Sequence, residues 1–523
     1  TVKHKTSSFS YKYSIMCSVI NLRFKITEKM DITASIAKVL NIPVSDILSY
    51  EILRKSIDAR KKSMVYFDFS VKVYLEKREK EENHLNTDGQ DIIRKRKHTL
   101  NPVIAGTGPA GLFSALTLVK KGYKPLIIER GKKIVHRIKD VEKLWRDGIL
   151  NQDSNVQFGE GGAGTFSDGK LTCRKKEGLI KEILKIFVHF GAPEEILYES
   201  KPHVGTDLIR KVVTNMRKSL EEKGAKFLFS TKLEGISVKG GNLAGVKISG
   251  TICDTDALIL ATGHSARDTF ELLEKTGLSM EPKDFAVGLR IEHDQDMINR
   301  NQYGTFFAAP LLPPADYMLK YNDIKSGRSV YSFCMCPGGE IICAASEPEG
   351  LVVNGMSNYL RNSGKANSAI VVTVKAKDFS SSSVLDGMEF QRKYEKMAFE
   401  AGGGNYFAPA QTTQSFLGLR ETYDCRASYL PGVNVVQLKE YLPEFLYMPL
   451  RRGMEDFCKK IKGFEKSILI GIETRTSSPV RILRNDTRMS PNVFGLYPAG
   501  EGAGYAGGII SSSLDGMKTG EVF

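Results

Sequence analysis

Apolar and polar positions alternate with a period of two along Ser18–Ile26 (SVINLRFKI) and again along Val65–Leu75 (VYFDFSVKVYL), which predicts two strands. Between them Asp31–Leu40 reads as a short helix capped by Asp31. These elements predict a small α+β domain in residues 1–80, with the polar first ten residues disordered. The charged, apolar-poor stretch that follows reads as a linker over 81–99. Val103–Ala105 is then a short apolar strand entered through Pro102. A glycine-rich turn, the apolar stretch Leu112–Leu118 and a second strand, Lys124–Glu129, complete a βαβ unit. Lys211–Lys223 reads as a helix, Ala225–Ser230 as a strand and Asp256–Thr262 as another buried strand. Strand-like and loop-like pieces alternate over 280–470, without a second βαβ signature. Val493–Ala499 is a last strand and Gly508–Gly520 a last helix.

The motif GxGxxG occurs three times, and context separates the three matches. Gly106-Thr-Gly108-Pro109-Ala110-Gly111 follows a strand and opens a helix. There Gly106 allows the tight turn, Gly108 admits a pyrophosphate to the helix N-terminus, and Gly111 lets helix and strand pack closely. A carboxylate to accept ribose hydroxyls belongs about 20 residues on, and Glu129 stands there, at the end of the second strand. A bound adenine dinucleotide is expected. The second match, Gly159 to Gly164, has no strand before it and reads as a loop that lets backbone approach a cofactor. The third, Gly502 to Gly507, lies too near the end of the sequence for a further βαβ unit, so it must complete a fold begun upstream.

The buried strand Thr255–Gly263, ending in the small residues Ala261, Thr262 and Gly263, suits a strand passing beneath a dinucleotide. With Asn492–Gly508 and the first glycine motif, it resembles the FAD enzymes related to glutathione reductase and the aromatic hydroxylases. That resemblance implies that Glu501, after Gly500, holds the ribityl chain. It also implies that the last helix points its N-terminus at the flavin through Gly507, Gly508 and Ile509, favouring the anionic reduced form.

Longer motifs sharpen the likeness: GEGGAGTFSDGKL at 159–171, KPHVGTDLIRKV at 201–212, ATGHSARDT at 261–269, FAVGLRIEH at 285–293, SFCMCPGG at 332–339, NGMS at 354–357 and RTSSPVRI at 475–482. They resemble a group of largely uncharacterised bacterial FAD-dependent dehydrogenases, NAD(P)/FAD-dependent oxidoreductases with a glutathione-reductase-like FAD fold, over roughly residues 13–523. The resemblance implies an α/β chain with a Rossmann-like FAD-binding fold, discontinuous in sequence. The FAD-binding parts are 100–280 and 471–523, and a mainly-β-containing α+β substrate domain is inserted at 281–470. It further implies that Arg130 and Gly131 continue the ribose strand, that Leu233 meets adenine by backbone, and that Gly164, Thr165 and Lys170 lie near the flavin. No substrate is implied.

Catalysis then needs polar groups near the flavin. Cys334 and Cys336 share one face of an extended strand and are candidates for a redox pair or a thiolate, or are two small packed residues. His203 and His264 are candidate general acids or structural histidines, and Asp207 a helix cap. Arg290 is a further catalytic candidate, or simply pairs with Glu292, with which it shares a strand face. Arg475 and Arg481 either bind an anionic group or are solvated. No metal site is read. No second dinucleotide unit is read, so the electron donor is NAD(P)H binding transiently, the substrate itself or another protein.

Composition changes this picture little. The 523 residues carry a net charge of +15, more than half of it in the first hundred. That excess reads as a lysine-rich surface, with a nucleic-acid grip and flavin-dependent RNA modification as the alternative. A non-catalytic flavoprotein is a third reading. Eight cysteines in a chain this long make no disulfide framework, so a reducing cytoplasm is expected. No apolar run approaches the ~18 residues of a membrane span, and no secretory leader is read.

Overall fold

The computed structural model describes residues 17–75, 98–173, 177–379, 382–421 and 424–523. The disorder expected for the first ten residues, and the linker expected at 81–99 as far as residue 97, lie outside them. The chain divides into two compact units, one holding residues 1–88 with 197–200 and the other the remainder.

In the first unit, Cys17–Lys25 and Ser49–Asp58 flank Tyr66–Tyr74 in an antiparallel sheet. Phe24, Phe67, Phe69, Val71 and Val73 are buried, together with Ile36 of the helix Ile32–Leu40. Asp31 caps that helix, its carboxylate accepting from the Ala34 amide at 2.9 Å. The Ser49–Asp58 strand escaped the alternation test because it is an edge strand with no buried position.

The second unit is built on a parallel sheet of five short strands, ordered Leu496–Pro498, Leu258–Leu260, Val103–Ala105, Leu126–Ile128, Lys226–Leu228. Leu496–Pro498 pairs with Leu258–Leu260 from the far side of the inserted stretch, so the FAD-type fold is discontinuous. Alternate residues serve opposite faces. Ile104, Ile127, Ile259 and Tyr497 pack with residues of the helices Pro109–Lys120, Gly205–Glu222 and Ile509–Glu521. Val103, Ile128, Leu258 and Leu496 pack with Leu233, Leu243 and Val246 of a small meander and with Phe270.

The inserted part forms a seven-stranded sheet, centred on Phe285–Asp294 between Lys365–Val374 and Ile468–Glu473. The chain enters and leaves it side by side, Met280–Pro282 pairing antiparallel with Val480–Ile482. Two long helices of this part, Asp386–Ala401 and Glu444–Lys460, were not legible as helices. The buried stripe of the first includes Gln391 and Glu395, polar residues that interrupt its apolar period. The second contains Pro449 and Gly453, and a Cβ at Gly453 would sit 2.7 Å from Val330.

The helices Pro109–Lys120 and Ile509–Glu521 are in intimate contact: a Cβ at Gly516 would lie 2.1 Å from the Ala110 carbonyl oxygen. Gly516→Ala is therefore expected to force the helix pair apart and cost about 1–3 kcal/mol in denaturant unfolding. An unchanged midpoint would show that this contact does not set the spacing.

Candidate functional site

At the end of Val103–Ala105 the chain turns through Gly106, whose φ of 107° suits glycine alone; a Cβ there would meet the Ala261 carbonyl oxygen at 2.3 Å. Gly111 sits just as tightly against Gly106, with 2.0 Å between a built Cβ and the Gly106 oxygen. Gly108 is different. It begins the helix with no side-chain cap, so the first-turn amides, with Pro109 at the first position, stay open to an anion.

Glu129 is buried, and both of its carboxylate oxygens accept hydrogen bonds from the chain. One carboxylate oxygen accepts from the Thr107 amide at 2.9 Å and the Thr107 hydroxyl at 2.6 Å. The other accepts from the amides of Gly131 and Gly159, each at 3.0 Å. Glu129 thus ties the first glycine turn to its own strand end and to the second glycine loop. Arg130 lies over the Phe158 ring and bonds Asp268 at 2.5 Å. The backbone before Leu233 runs alongside, Thr231 donating to the Glu129 carbonyl at 2.9 Å.

The second glycine loop is folded around Arg137, whose guanidinium is fully buried. Arg137 donates to the carbonyls of Asn155, Val156, Glu160 and Gly162 and to the Thr165 hydroxyl, all within 2.6–2.9 Å. Thr165 is thereby turned inward, its hydroxyl donating in turn to the Gly162 carbonyl. The loop reaches both helix starts. A Cβ at Gly162 would lie 3.0 Å from Gly108 Cα, and one at Gly164 would lie 3.4 Å from Ile509.

The third motif closes the same space. A Cβ at Gly502 would lie 2.5 Å from the Gly263 oxygen, which seats the turn after Ala261 and Thr262 against the last strand's exit. Gly500 donates its amide to Asp515 at 2.8 Å. Gly508 begins the last helix, again without a side-chain cap. A Cβ built at Gly263, Gly507 or Gly508 meets nothing within 4 Å, so all three border open space. Glu501 is half-buried, and among the described residues its carboxylate has no hydrogen-bond partner. Burial pushes it up to about 7, with Lys283 opposing and Cys334 adding to the rise. Two uncapped helix N-termini, three glycines facing open space and an unused carboxylate fit FAD, which brings a diphosphate, a polyol and a flat ring.

Beside Glu501's surroundings lies a charged cluster. Asp168 is buried between Lys170 (2.9 Å) and Arg361 (2.6 Å), and also accepts from the Ser357 hydroxyl. Those two cations hold its carboxyl well below the usual range against the opposing effect of burial. Lys170 Nζ is 3.7 Å from Cys336 Sγ. Arg290, with no exposed surface, donates to Glu473 at 2.6 Å, Asn367 at 2.8 Å and the Cys334 carbonyl at 2.8 Å, with Cys336 Sγ at 3.5 Å. Burial pushes Glu473 up to about 7 even so.

Several expectations are corrected here. Arg290 does not pair with Glu292; the adjacent strand supplies Glu473, while Glu292 accepts from the Ser428 amide and hydroxyl. Arg475 is not solvated. It bonds Glu395 at 2.8 and 3.0 Å inside a buried network that includes Arg267 and Glu347. Arg481 does lie at the surface, pairing with Glu281 at 3.3 Å. Asp207 accepts from the Tyr359 amide at 2.8 Å rather than capping its own helix. His203 stacks on Tyr359 and bonds its carbonyl at 2.9 Å. His264 meets the Ser265 hydroxyl at 3.0 Å, and burial, with Arg475 and Arg267 nearby, pulls it down to about 4. Asp168, Arg361, Arg137 and Lys283 were not singled out from sequence. Asp168 stands two residues before Lys170, but Arg361 carries no local signal.

A family model described as FAD-dependent protein, C-terminal domain-like, matches residues 284–476, and a domain of unknown function matches residues 16–74. An uncharacterised protein of Clostridium beijerinckii is 49% identical over 506 residues, 93% of this chain and 94% of that protein. Protein FixC of Escherichia coli K12 is 25% identical over 190 residues, 36% of this chain and 42% of its own length. A solved structure of a geranylgeranyl bacteriochlorophyll reductase-like protein from Thermoplasma acidophilum is 15% identical. The match covers 80% of this chain and 77% of that one, with a TM-score of 0.36.

Arg137→Met is expected to strand several buried carbonyls and cost at least ~3 kcal/mol of stability. Equilibrium unfolding in urea measures it, and a loss under ~1 kcal/mol would mean that water replaces the guanidinium.

Proposed function

Because the chain belongs to the largely uncharacterised bacterial FAD-dependent dehydrogenases, we propose that it is an FAD-dependent oxidoreductase acting by hydride transfer on a small molecule held by the inserted part. The observation that carries this reading is the meeting of the three glycine motifs around one open space that also holds an unpartnered carboxylate. Bound FAD supplies the redox chemistry at its N5. In this reading the amides after Gly108 take the pyrophosphate, Glu129 faces the adenosine ribose and Glu501 the ribityl hydroxyls. The amides after Gly508 face the ring, where the helix N-terminus favours negative charge. Lys170 and the two thiols stand on the inserted part's side of the site, where a substrate would be held and protons supplied.

The two carboxylates separate binding from folding. Glu501→Ala is expected to weaken FAD binding roughly tenfold, about 1.4 kcal/mol, and to leave the flavin-free protein's melting unchanged, since this carboxylate bonds no described residue. Glu129→Ala is expected to lower both, because Thr107, Gly131 and Gly159 lose their acceptor. Equal FAD affinity in wild type and both variants would remove the proposed site.

The electron donor is read by anaerobic titration. Flavin bleaching by NADH or NADPH is the expected result, with the pyridine nucleotide docking transiently. If neither nucleotide reduces the bound flavin, the donor is the substrate itself or a protein.

A further inference from the structure

We propose that Cys334 and Cys336 are a redox-active dithiol that interconverts with an intramolecular disulfide and exchanges an electron pair with the bound flavin. This deepens the oxidoreductase reading and rests on it.

The backbone is shaped for the purpose. In a regular strand, residues two apart share a face but lie about 6.6 Å apart along it, near the upper end of the ~4.4–6.8 Å that a disulfide spans between Cα atoms. The strand Arg328–Cys336 is not regular here. Its register against Lys365–Val374 breaks between Phe333 and Cys336, and Cys334 takes a left-handed φ of 46°. A side chain rarely adopts that conformation, and such strain gathers at functional positions. The kink brings Cys336 Sγ to 3.3 Å from the Cys334 carbonyl and sets the two thiols against each other.

Charge points the same way. Two cations stand beside the Cys336 sulfur, Lys170 at 3.7 Å and Arg290 at 3.5 Å, each also paired with a carboxylate, Asp168 and Glu473. Two positive groups this near favour the charged form of a thiol in the pair. Accordingly the Cys336 thiol's hydrogen bond, with Lys170 and Arg290, holds Cys334 well below the ordinary thiol range. The same hydrogen bond and burial hold the Cys336 proton in place. Cys334 also acts electrostatically on Glu501, which borders the flavin space.

In the oxidising direction the Cys334 thiolate and Cys336 thiol form an S–S bond as the Cys336 S–H bond breaks. Two electrons and that proton pass to oxidised flavin, one hydride equivalent in all. One negative charge is present before and after. Reversal regenerates the dithiol from reduced flavin.

The test uses full-length protein, flavin-loaded and flavin-stripped, with flavin occupancy read by absorbance. Thiols are counted by alkylation and mapped by peptide mass before and after mild diamide oxidation. Wild type is expected to lose two alkylatable thiols, both at 334 and 336, and to regain them with dithiothreitol. Cys253→Ser should behave as wild type, and Cys334→Ser should lose none at that place. Lys170→Met should move the pH profile of iodoacetamide reaction at Cys334 up by roughly one unit. In loaded protein, dithiothreitol should reduce the flavin faster in wild type than in Cys336→Ser. Flavin-loaded protein whose two thiols stay free after oxidation overturns the dithiol while leaving the function reading standing. Protein that forms the disulfide but binds no flavin overturns the function reading and the electron exchange with it.

Discussion

The site depends on one buried guanidinium. Arg137 gathers four backbone carbonyls and a hydroxyl from residues 155–165. Without it, a glycine-rich loop whose one regular element is the short 3-10 turn Ala163–Phe166 would have little reason to hold one shape. Burial, with Arg210 adding to it, pushes the guanidinium down to about 9, and Glu129 and Glu160 offset part of that cost. Since Glu129 also bonds the Gly159 amide, the carboxylate and the guanidinium grip the loop from two sides. The loop in turn brings Gly162 to one helix start and Gly164 to the other. The geometry of the whole cradle follows from these few polar contacts, which are far more directional than apolar packing.

How much of this was readable without coordinates depended on whether a signal was local. The first glycine turn, Glu129 and the last helix are each specified within a few residues, by spacing and by apolar runs, and the sequence exposed them. The discontinuity of the parallel sheet was legible because a second glycine-rich strand-to-helix turn follows the long stretch that carries no βαβ signature. The salt-linked interior was not legible. Glu395 meets Arg267 and Arg475 from positions 128 and 80 residues away, and Arg361 meets Asp168 from 193 residues away. In a single sequence, buried ion partners look the same as solvated ones. Arg475 was open to misreading for that reason, and the helix Asp386–Ala401 for a related one: its inward face carries Gln391 and Glu395, so the apolar stripe is broken where the network begins.

The thiol pair shows a juxtaposition reached by a route other than the expected one. Simple alternation put Cys334 and Cys336 on the same side of a strand. The protein brings them together by interrupting the strand, with Cys334 in a left-handed conformation and two cations beside the sulfurs. A β-bulge that re-aims a side chain next to a ligand site is a recurrent device, and here it acts on two side chains at once.

The paired crossings at Met280–Pro282 and Val480–Ile482 have a consequence for how such a chain can diversify. Hydrogen-bonded strands hold the two ends of the inserted stretch about 4.8 Å apart. To the dinucleotide-binding part, everything between them is a single closed loop, and the entropy of closing a loop grows only logarithmically with its length. Descendants can therefore lengthen or shorten parts of the stretch between 283 and 479 at little cost to the flavin cradle, as long as Glu395 and Arg361 keep their buried partners Arg267 and Asp168. Changes of comparable size inside residues 155–165, which are tied to Arg137 carbonyl by carbonyl, would have no such freedom.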